Sequence, residues 1–354
     1  MSRFFSNKFD KLVPYTPGEQ PKEMKYLKLN TNESPWPPSE KAKARAAVAL
    51  ERLQLYSDPD CTELVKKACE IYGAGKDEIL FGNGSDEILN FAFAAFCDDE
   101  HPAVFPDITY GFYPVFANMN RVPYEEKPLS EDFSVNVADY MGIDKTIFLA
   151  NPNAPTGKAL SPAVIEEIVK SNPNSVVVID EAYVDFGTES VVPLIHKYDN
   201  LLVTQTFSKS RSMAGARLGF AIGCAALIAD LNTIKYSTNP YNVSSMAQAA
   251  GLGALEDEAY TRGNCERIAQ NREYFVGRLA ELGFEVLPST ANFVFARHPE
   301  FSGKKLYEEL KKIGILIRHF DKPRLAEYNR ITIGTKEQMD ELCEGIVRVM
   351  SCQR

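Results

Sequence analysis

The sequence reads as an α/β protein: a large domain with a mostly parallel, buried sheet flanked by helices, followed by a smaller α+β domain. Three observations lead there. Short continuous apolar runs recur at Lys145–Ala150, Ser175–Ile179, Leu201–Thr204 and Arg217–Gly223, and strands apolar on both faces belong to a sheet covered by helices on each side. Between the first two, Ser161–Lys170 opens with Ser-Pro and spaces Val164, Ile165, Ile168 and Val169 along one helical face. Beyond Met246 the pattern changes to a long helical stretch, Met246–Leu282, and then to short runs alternating with helices.

Taken in order, the Pro-rich opening (Pro14, Pro17, Pro21, Pro35, Pro37, Pro38) excludes regular structure and predicts an arm, residues 1–29, wrapped over a surface. The large domain is expected over 30–243 and the small domain over 244–354. Within the latter, Phe284–Leu287, Asn292–Ala296, Ile315–Ile317 and Ile331–Ile333 read as strands, with Lys304–Ile313 and Glu337–Met350 as helices.

Composition narrows the function classes. A chain of 354 residues suits two domains, and 45% hydrophobic with 25% charged residues excludes bulk disorder. A net charge of -9 argues against a general nucleic-acid binder, though a few local cations would suffice for an anionic small substrate. Cysteines at 61, 69, 97, 224, 265, 343 and 352 form no CxxC, and histidines at 101, 196, 298 and 319 form no HExxH, so no zinc site is expected. Scattered cysteines in odd number, with no signal-like pattern in Met1–Asp10, point to a reducing cytoplasm. No apolar run approaches the ~20 residues of a membrane helix.

Ligands of open α/β sheets bind beyond the carboxyl ends of the strands. After Glu78–Phe81 comes Gly82-Asn83-Gly84-Ser85-Asp86-Glu87, where two glycines admit close approach and Ser85 can cap a helix whose amides face an anion. Alone, it reads equally as a capped helix start or a phosphate cradle. Asn151-Pro152-Asn153-Ala154-Pro155-Thr156-Gly157 follows the next run as a rigid polar turn. Asp180, after four apolar residues, would be costly to bury without a cationic or N–H partner. After Leu201–Phe207 come Ser208, Lys209 and Arg211, with Arg217 eight residues past the lysine; clustered cations lower a lysine's pKa or hold a phosphate. Taken together these fit pyridoxal phosphate, which requires a lysine for its aldehyde, an acid opposite its ring nitrogen and an anion site for its phosphate.

In this order, GNGSDEIL, DITYGFY, NPNAPTG, VIDEAYVDF, TFSKSRSMAGARLGF and RITIGT resemble the histidinol-phosphate aminotransferase family, a subgroup of the fold-type I aminotransferases. The resemblance runs from Tyr15 to Gly334, and LNTNESPWPP with Leu55-Tyr56-Ser57-Asp58 narrows it to the subgroup. It implies that Lys209 carries the cofactor, Asp180 pairs with the ring nitrogen, Tyr183 bonds the ring's phenolic oxygen and Tyr110 stacks on the ring. Gly84, Ser85, Asp86, Ser208 and Arg217 would surround the phosphate, joined by Tyr56 from a neighbouring subunit of a homodimer. Arg330 would hold the anionic end of the substrate, with Tyr15 and Asn32 over its pocket, and 2-oxoglutarate would collect the amino group.

One residue departs from the pattern. The asparagine that the family places before the turn's second proline is Ala154 here, so Tyr183 acts alone on the phenolic oxygen, or Asn153 or Asn151 compensates. The same scaffold also resembles a threonine-phosphate decarboxylase and aromatic amino-acid aminotransferases. A regulator of this superfamily would need an added DNA-binding module, for which the chain leaves no room.

Overall fold

A computed structural model of the chain describes residues 2–10 and 12–351; Met1 and Cys352, counted above, lie outside the described residues. The chain begins β1 (Leu27–Lys28), α1 (Glu40–Leu50), α2 (Thr62–Tyr72), β2 (Ile79–Gly82), α3 (Ser85–Phe96), β3 (Ala103–Pro106), α4 (Tyr113–Asn120) and β4 (Tyr124–Lys127). It continues through β5 (Thr146–Ala150), α5 (Pro162–Ser171), β6 (Val177–Asp180), β7 (Leu201–Thr206), β8 (Gly219–Gly223), α6 (Ala225–Thr238), α7 (Ser245–Leu255) and α8 (Glu258–Glu281). The last elements are β9 (Glu285–Val286), β10 (Phe293–Arg297), α9 (Gly303–Lys312), β11 (Ile315–Leu316), β12 (Arg318–His319), β13 (Tyr328–Thr332) and α10 (Lys336–Ser351).

The large sheet has the order β2-β8-β7-β6-β5-β3-β4. Its β4, β3, β5, β6 and β7 pair in parallel, whereas β8 runs antiparallel to both β7 and β2. The unbroken apolar runs have the meaning read from them. Ile147, Leu149, Val177, Ile179, Leu201 and Val203 enter one core, while Phe148, Val178, Leu202 and Ala221 enter the other, on the opposite face. Each of the buried Val, Leu, Ile and Phe side chains among them contributes about 1.5–3 kcal/mol. Helix α5 starts as expected: Ser161 Oγ accepts from Val164 N, Pro162 occupies the first turn, and Ile165, Ile168 and Val169 are buried.

The expected single helix over 246–282 is two. Helix α7 lays Ala247, Ala254 and Leu255 into the large-domain core. The chain turns at Glu256–Asp257, and α8 carries Cys265, Ile268, Phe275 and Leu279 into the second core. That core is completed by the antiparallel sheet β12-β13-β10-β9 and by β1, which pairs in parallel with β11. On this packing we propose that the small domain begins at the Glu256–Asp257 turn rather than at 244, and that it includes Leu27–Leu29 of the expected arm. Part of the preceding segment lies against small-domain residues: Arg318 donates to the carbonyls of Thr16 and Pro17, and Glu19 meets Tyr307 and Lys311. Among the described residues, no helix is long and apolar enough to cross a membrane and no His/Cys/Asp/Glu cluster could hold a metal.

Candidate active site

The parallel strands point their carboxyl ends at one cleft between the domains, and the cleft has two adjoining chambers. An inner one of about 270 Å3 is lined by Ser85, Asp86, Asp180, Tyr183, Lys209 and Arg217, among others. An outer one of about 630 Å3 includes Tyr15, Asn32, Tyr110, Lys209, Arg318 and Arg330. Tyr110, Tyr183 and Lys209 border both.

At one end of the inner chamber, β2 hands over to α3 through Gly84, whose φ of +84° is one that glycine adopts without strain. A Cβ at Gly84 would lie 2.6 Å from Arg217 Nη2, and one at Gly219 would lie 2.4 Å from the Ser85 amide. Bare backbone therefore brings β8 and Arg217 against the opening turn of α3, where free N–H groups favour an anion. The helix is capped by Gly84, and Ser85 is its first residue. The expectation that the Ser85 side chain caps it is corrected: the cap position needs the positive φ, which glycine supplies. Asp86 accepts from Tyr110 Oη at 2.5 Å and from Arg217 Nη2 at 3.0 Å. Arg217 Nη1 also reaches Ser208 Oγ at 3.5 Å.

At the other end stand Asp180 and Lys209. Asp180 closes β6, 5% exposed, accepting from Ala182 N at 3.1 Å with longer contacts of 3.4 Å to Tyr113 Oη and Thr204 Oγ1. Burial, reinforced by the charge of Asp86, raises its pKa to about 7. Lys209 Nζ donates to the Thr31 carbonyl at 3.2 Å. Burial and the neighbouring Arg330 lower its pKa to about 8, with Arg217 acting in the same sense.

Three expected residues lie elsewhere. Asn153 lines neither chamber: its Oδ1 accepts from Thr109, and its Nδ2 donates to the Ile108 carbonyl and Thr156 Oγ1. Asn151 is likewise occupied by the backbone of Leu160. With their polar atoms used to brace the turn, neither substitutes for the side chain that Ala154 lacks. Asn32 comes closest to that role, since its Nδ2 donates to Tyr183 Oη at 3.0 Å and its backbone is tied to Thr332 and Asn292. Tyr56 is outside both chambers as well. It is 83% exposed and stacks on Tyr241 at 4.5 Å, on the rim of a groove lined by Val48, Ala49, Leu55 and Leu252.

In the outer chamber, Tyr15 stacks on Phe112 at 4.2 Å. Arg330 donates to the Asn30 carbonyl at 3.0 Å, and its buried Nε has no hydrogen-bond partner among the described residues. Sequence reasoning passed over Arg318. It stands directly opposite Arg330 in the β12–β13 register, and directly opposed residues share a sheet face. Two guanidiniums so placed repel one another, and among the described residues neither pairs with a carboxylate.

Residues 24–346 match the family model for aminotransferase class I and II. The histidinol-phosphate aminotransferase 1 of Bradyrhizobium diazoefficiens is 49% identical over 344 residues, spanning 97% of this chain and 98% of its own length. The histidinol-phosphate aminotransferase of a Marinomonas strain is 49% identical over 350 residues, 98% of this chain and 99% of that one. The crystal structure of the histidinol-phosphate aminotransferase from Clostridium acetobutylicum superposes with a TM-score of 0.84 at 25% identity, covering 91% of this chain and 98% of that one. The architecture is that of the fold-type I aminotransferases, and the chain belongs to the class I and II aminotransferases and, within them, to the histidinol-phosphate aminotransferase family.

Proposed function

We propose that the chain is a pyridoxal-phosphate-dependent aminotransferase that takes the amino group from histidinol phosphate and passes it to a 2-oxo acid. The observation that carries the substrate reading is the opposed pair Arg318 and Arg330 at the outer wall of the Lys209 chamber. One guanidinium suffices for a carboxylate; two, without carboxylate partners, suit a phosphate dianion.

The residues fit the cofactor. Asp180 is a buried carboxyl with no cation beside it among the described residues, and a protonated ring nitrogen would supply one. The α3 opening turn, Ser85, Ser208 and Arg217 would hold the phosphate. Tyr183 and Asn32 would meet the phenolic oxygen, and Tyr110 would pack on the ring. When bound, pyridoxal phosphate supplies a ring that accepts the electrons left when a bond at the substrate's amine-bearing carbon breaks.

The chain's own residues do the rest. Lys209 would hold the cofactor through its Nζ and, once freed by the donor amine, that Nζ would carry the proton from the donor's amine-bearing carbon to the cofactor carbon that keeps the nitrogen. A pKa near 8 rather than 10.5 gives Lys209 a useful neutral fraction at physiological pH. Tyr15 and the arm cover the outer chamber and restrict water. Tyr56 acts in the partner's site within a homodimer, a reading supported by the exposure of Val48, Leu55 and Tyr56 around one largely apolar groove.

Borohydride reduction of the loaded protein followed by peptide mapping tests the attachment, and should label Lys209. Histidinol phosphate, histidinol, threonine phosphate and phenylalanine, each offered with 2-oxoglutarate, test the substrate. Histidinol phosphate should exceed the others in kcat/KM. Equal use of histidinol and its phosphate defeats the reading.

A further inference from the structure

We propose that Arg211 is a positioning residue: behind the wall of the inner chamber it holds the loop that carries Lys209 against the first turn of α8, and so sets where the lysine amine stands. The proposal rests on the reading that Lys209 carries the cofactor.

Lys209 sits on the turn after β7, and its side chain has one hydrogen bond, to a carbonyl of the N-terminal segment. Arg211, two residues on, is 4% exposed and lines neither chamber. Its Nη2 donates to Tyr72 Oη and to Glu258 Oε1, both at 3.1 Å. Its Nη1 lies 3.6 Å from Asp185 Oδ2, and the guanidinium stands 5.0 Å from the Phe207 ring centre.

The network extends beneath the whole site. Tyr72 Oη donates to Gln205 Oε1 at 3.1 Å, and Gln205 Nε2 donates to Glu181 Oε2 at 2.8 Å. Glu181 also accepts from Ser190 Oγ and Val191 N, and it too is buried, at 1% exposure. Glu181 follows Asp180, Asp185 lies two residues after Tyr183, and Arg211 lies two residues after Lys209. One polar chain thus joins the neighbours of three site residues without any of its members facing the cleft.

Its remaining end is Glu258, in the first turn of the helix whose later residues Ile268, Phe275 and Leu279 build the small-domain core. Arg211 is therefore where the lysine loop of the large domain meets an element of the small one. A neutral side chain of similar length would fill the space. The guanidinium adds direction, because its planar fork fixes the relative places of Tyr72, Asp185 and Glu258.

The test compares wild type with Arg211→Met, Arg211→Lys and Glu258→Gln. It measures the rate at which the cofactor-free protein takes up pyridoxal phosphate, the pH at which the visible band of the loaded protein changes, and kcat against KM. Arg211→Met should slow uptake and lower kcat by roughly tenfold or more, with KM for the amino donor within about twofold, because the lysine is misplaced rather than the substrate pocket. It should also shift the midpoint of the band. Arg211→Lys should recover part of each effect and Glu258→Gln should show a smaller version. Wild-type uptake and midpoint in Arg211→Met, or losses confined to thermal stability, overturn the proposal. If Arg211→Met does not fold, Glu258→Gln decides alone, since its half-exposed side chain is dispensable for packing; unchanged uptake and midpoint there overturn it too. Borohydride labelling of wild type separates the two readings. A label away from Lys209 removes the premise, whereas a label on Lys209 with an unaffected Arg211→Met removes only the positioning role.

Discussion

Replacing Asp180 by asparagine should make the cofactor-free protein more stable at neutral pH while removing the group proposed to face the ring nitrogen. The folded carboxyl has a pKa near 7 against 3.8 unperturbed, from burial first and Asp86 second. Below pH 3.8 both the folded and unfolded chains hold the proton, and the group has no effect on stability relative to that reference. Between 3.8 and about 7 the unfolded chain ionises while the folded one keeps its proton, so stability falls by up to ~1.4 kcal/mol per pH unit. Above about 7 the loss levels off, having reached about 4 kcal/mol over a shift of roughly three units. Asparagine keeps the shape and the acceptor for Ala182 N, and its amide can face Tyr113 Oη. Urea denaturation of both cofactor-free proteins at pH 4, 6 and 8 measures the difference. Glu181, also raised to about 7 by burial, titrates in the same window in both proteins and cancels. The variant should match wild type at pH 4 and exceed it increasingly to pH 8. Pyridoxal phosphate should then stabilise wild type more than the variant. A variant no more stable than wild type at pH 8 would falsify the account of Asp180 as a carboxyl awaiting a cation.

The arginine pair gives the next expectation: Arg330→Lys keeps the charge but loses the fork, so kcat/KM for histidinol phosphate should fall at least about tenfold while histidinol, poor throughout, barely changes. Arg330→Ala should cost about 2–5 kcal/mol in the same comparison, and Arg318→Gln should act in the same direction. If neither arginine variant discriminates between the two donors, phosphate recognition lies elsewhere. For the dimer, mixing inactive Tyr56→Phe and Lys209→Ala chains should restore one site per heterodimer. Heterodimers of confirmed composition that stay inactive would place each site within a single chain.

Much of this site was legible because α/β sheets put function at strand ends, and the strands announce themselves by continuous apolar runs. Asp180 and Lys209 follow such runs directly, and Gly84 precedes an evident helix, so local sequence located all three. What escaped depends on residues far apart in the chain. Arg318 is one arginine among many until β12 pairs with β13 and sets it opposite Arg330. The side chain missing at Ala154 has its nearest counterpart in Asn32, which is held in place by Thr332, 300 residues away. Asn153 looked suitable by position, but its amide is fully engaged by the loop at 108–109, a contact no local pattern reveals. The Met246–Leu282 pattern stayed helical across a break because its cause is tertiary: α7 must pack on the large domain and α8 must leave for the small one.

The arginine proposed to discriminate substrates also bears on the proposed base. Arg330 is, after burial, the principal influence lowering the pKa of Lys209, and the two side chains line the same outer chamber. An anion held by Arg330 and Arg318 would offset that charge, so Lys209 should be more basic with a phosphate-bearing donor in place than without one. On that account recognition would enter the proton-transfer step as well as binding. The donor comparison reads this directly: histidinol should lag behind its phosphate in kcat as well as in KM, and Arg330→Gln, which removes the charge, should narrow the kcat gap between them. A gap confined to KM would mean that the anion serves only to hold the substrate, and that the influence of Arg330 on Lys209 has no part in turnover.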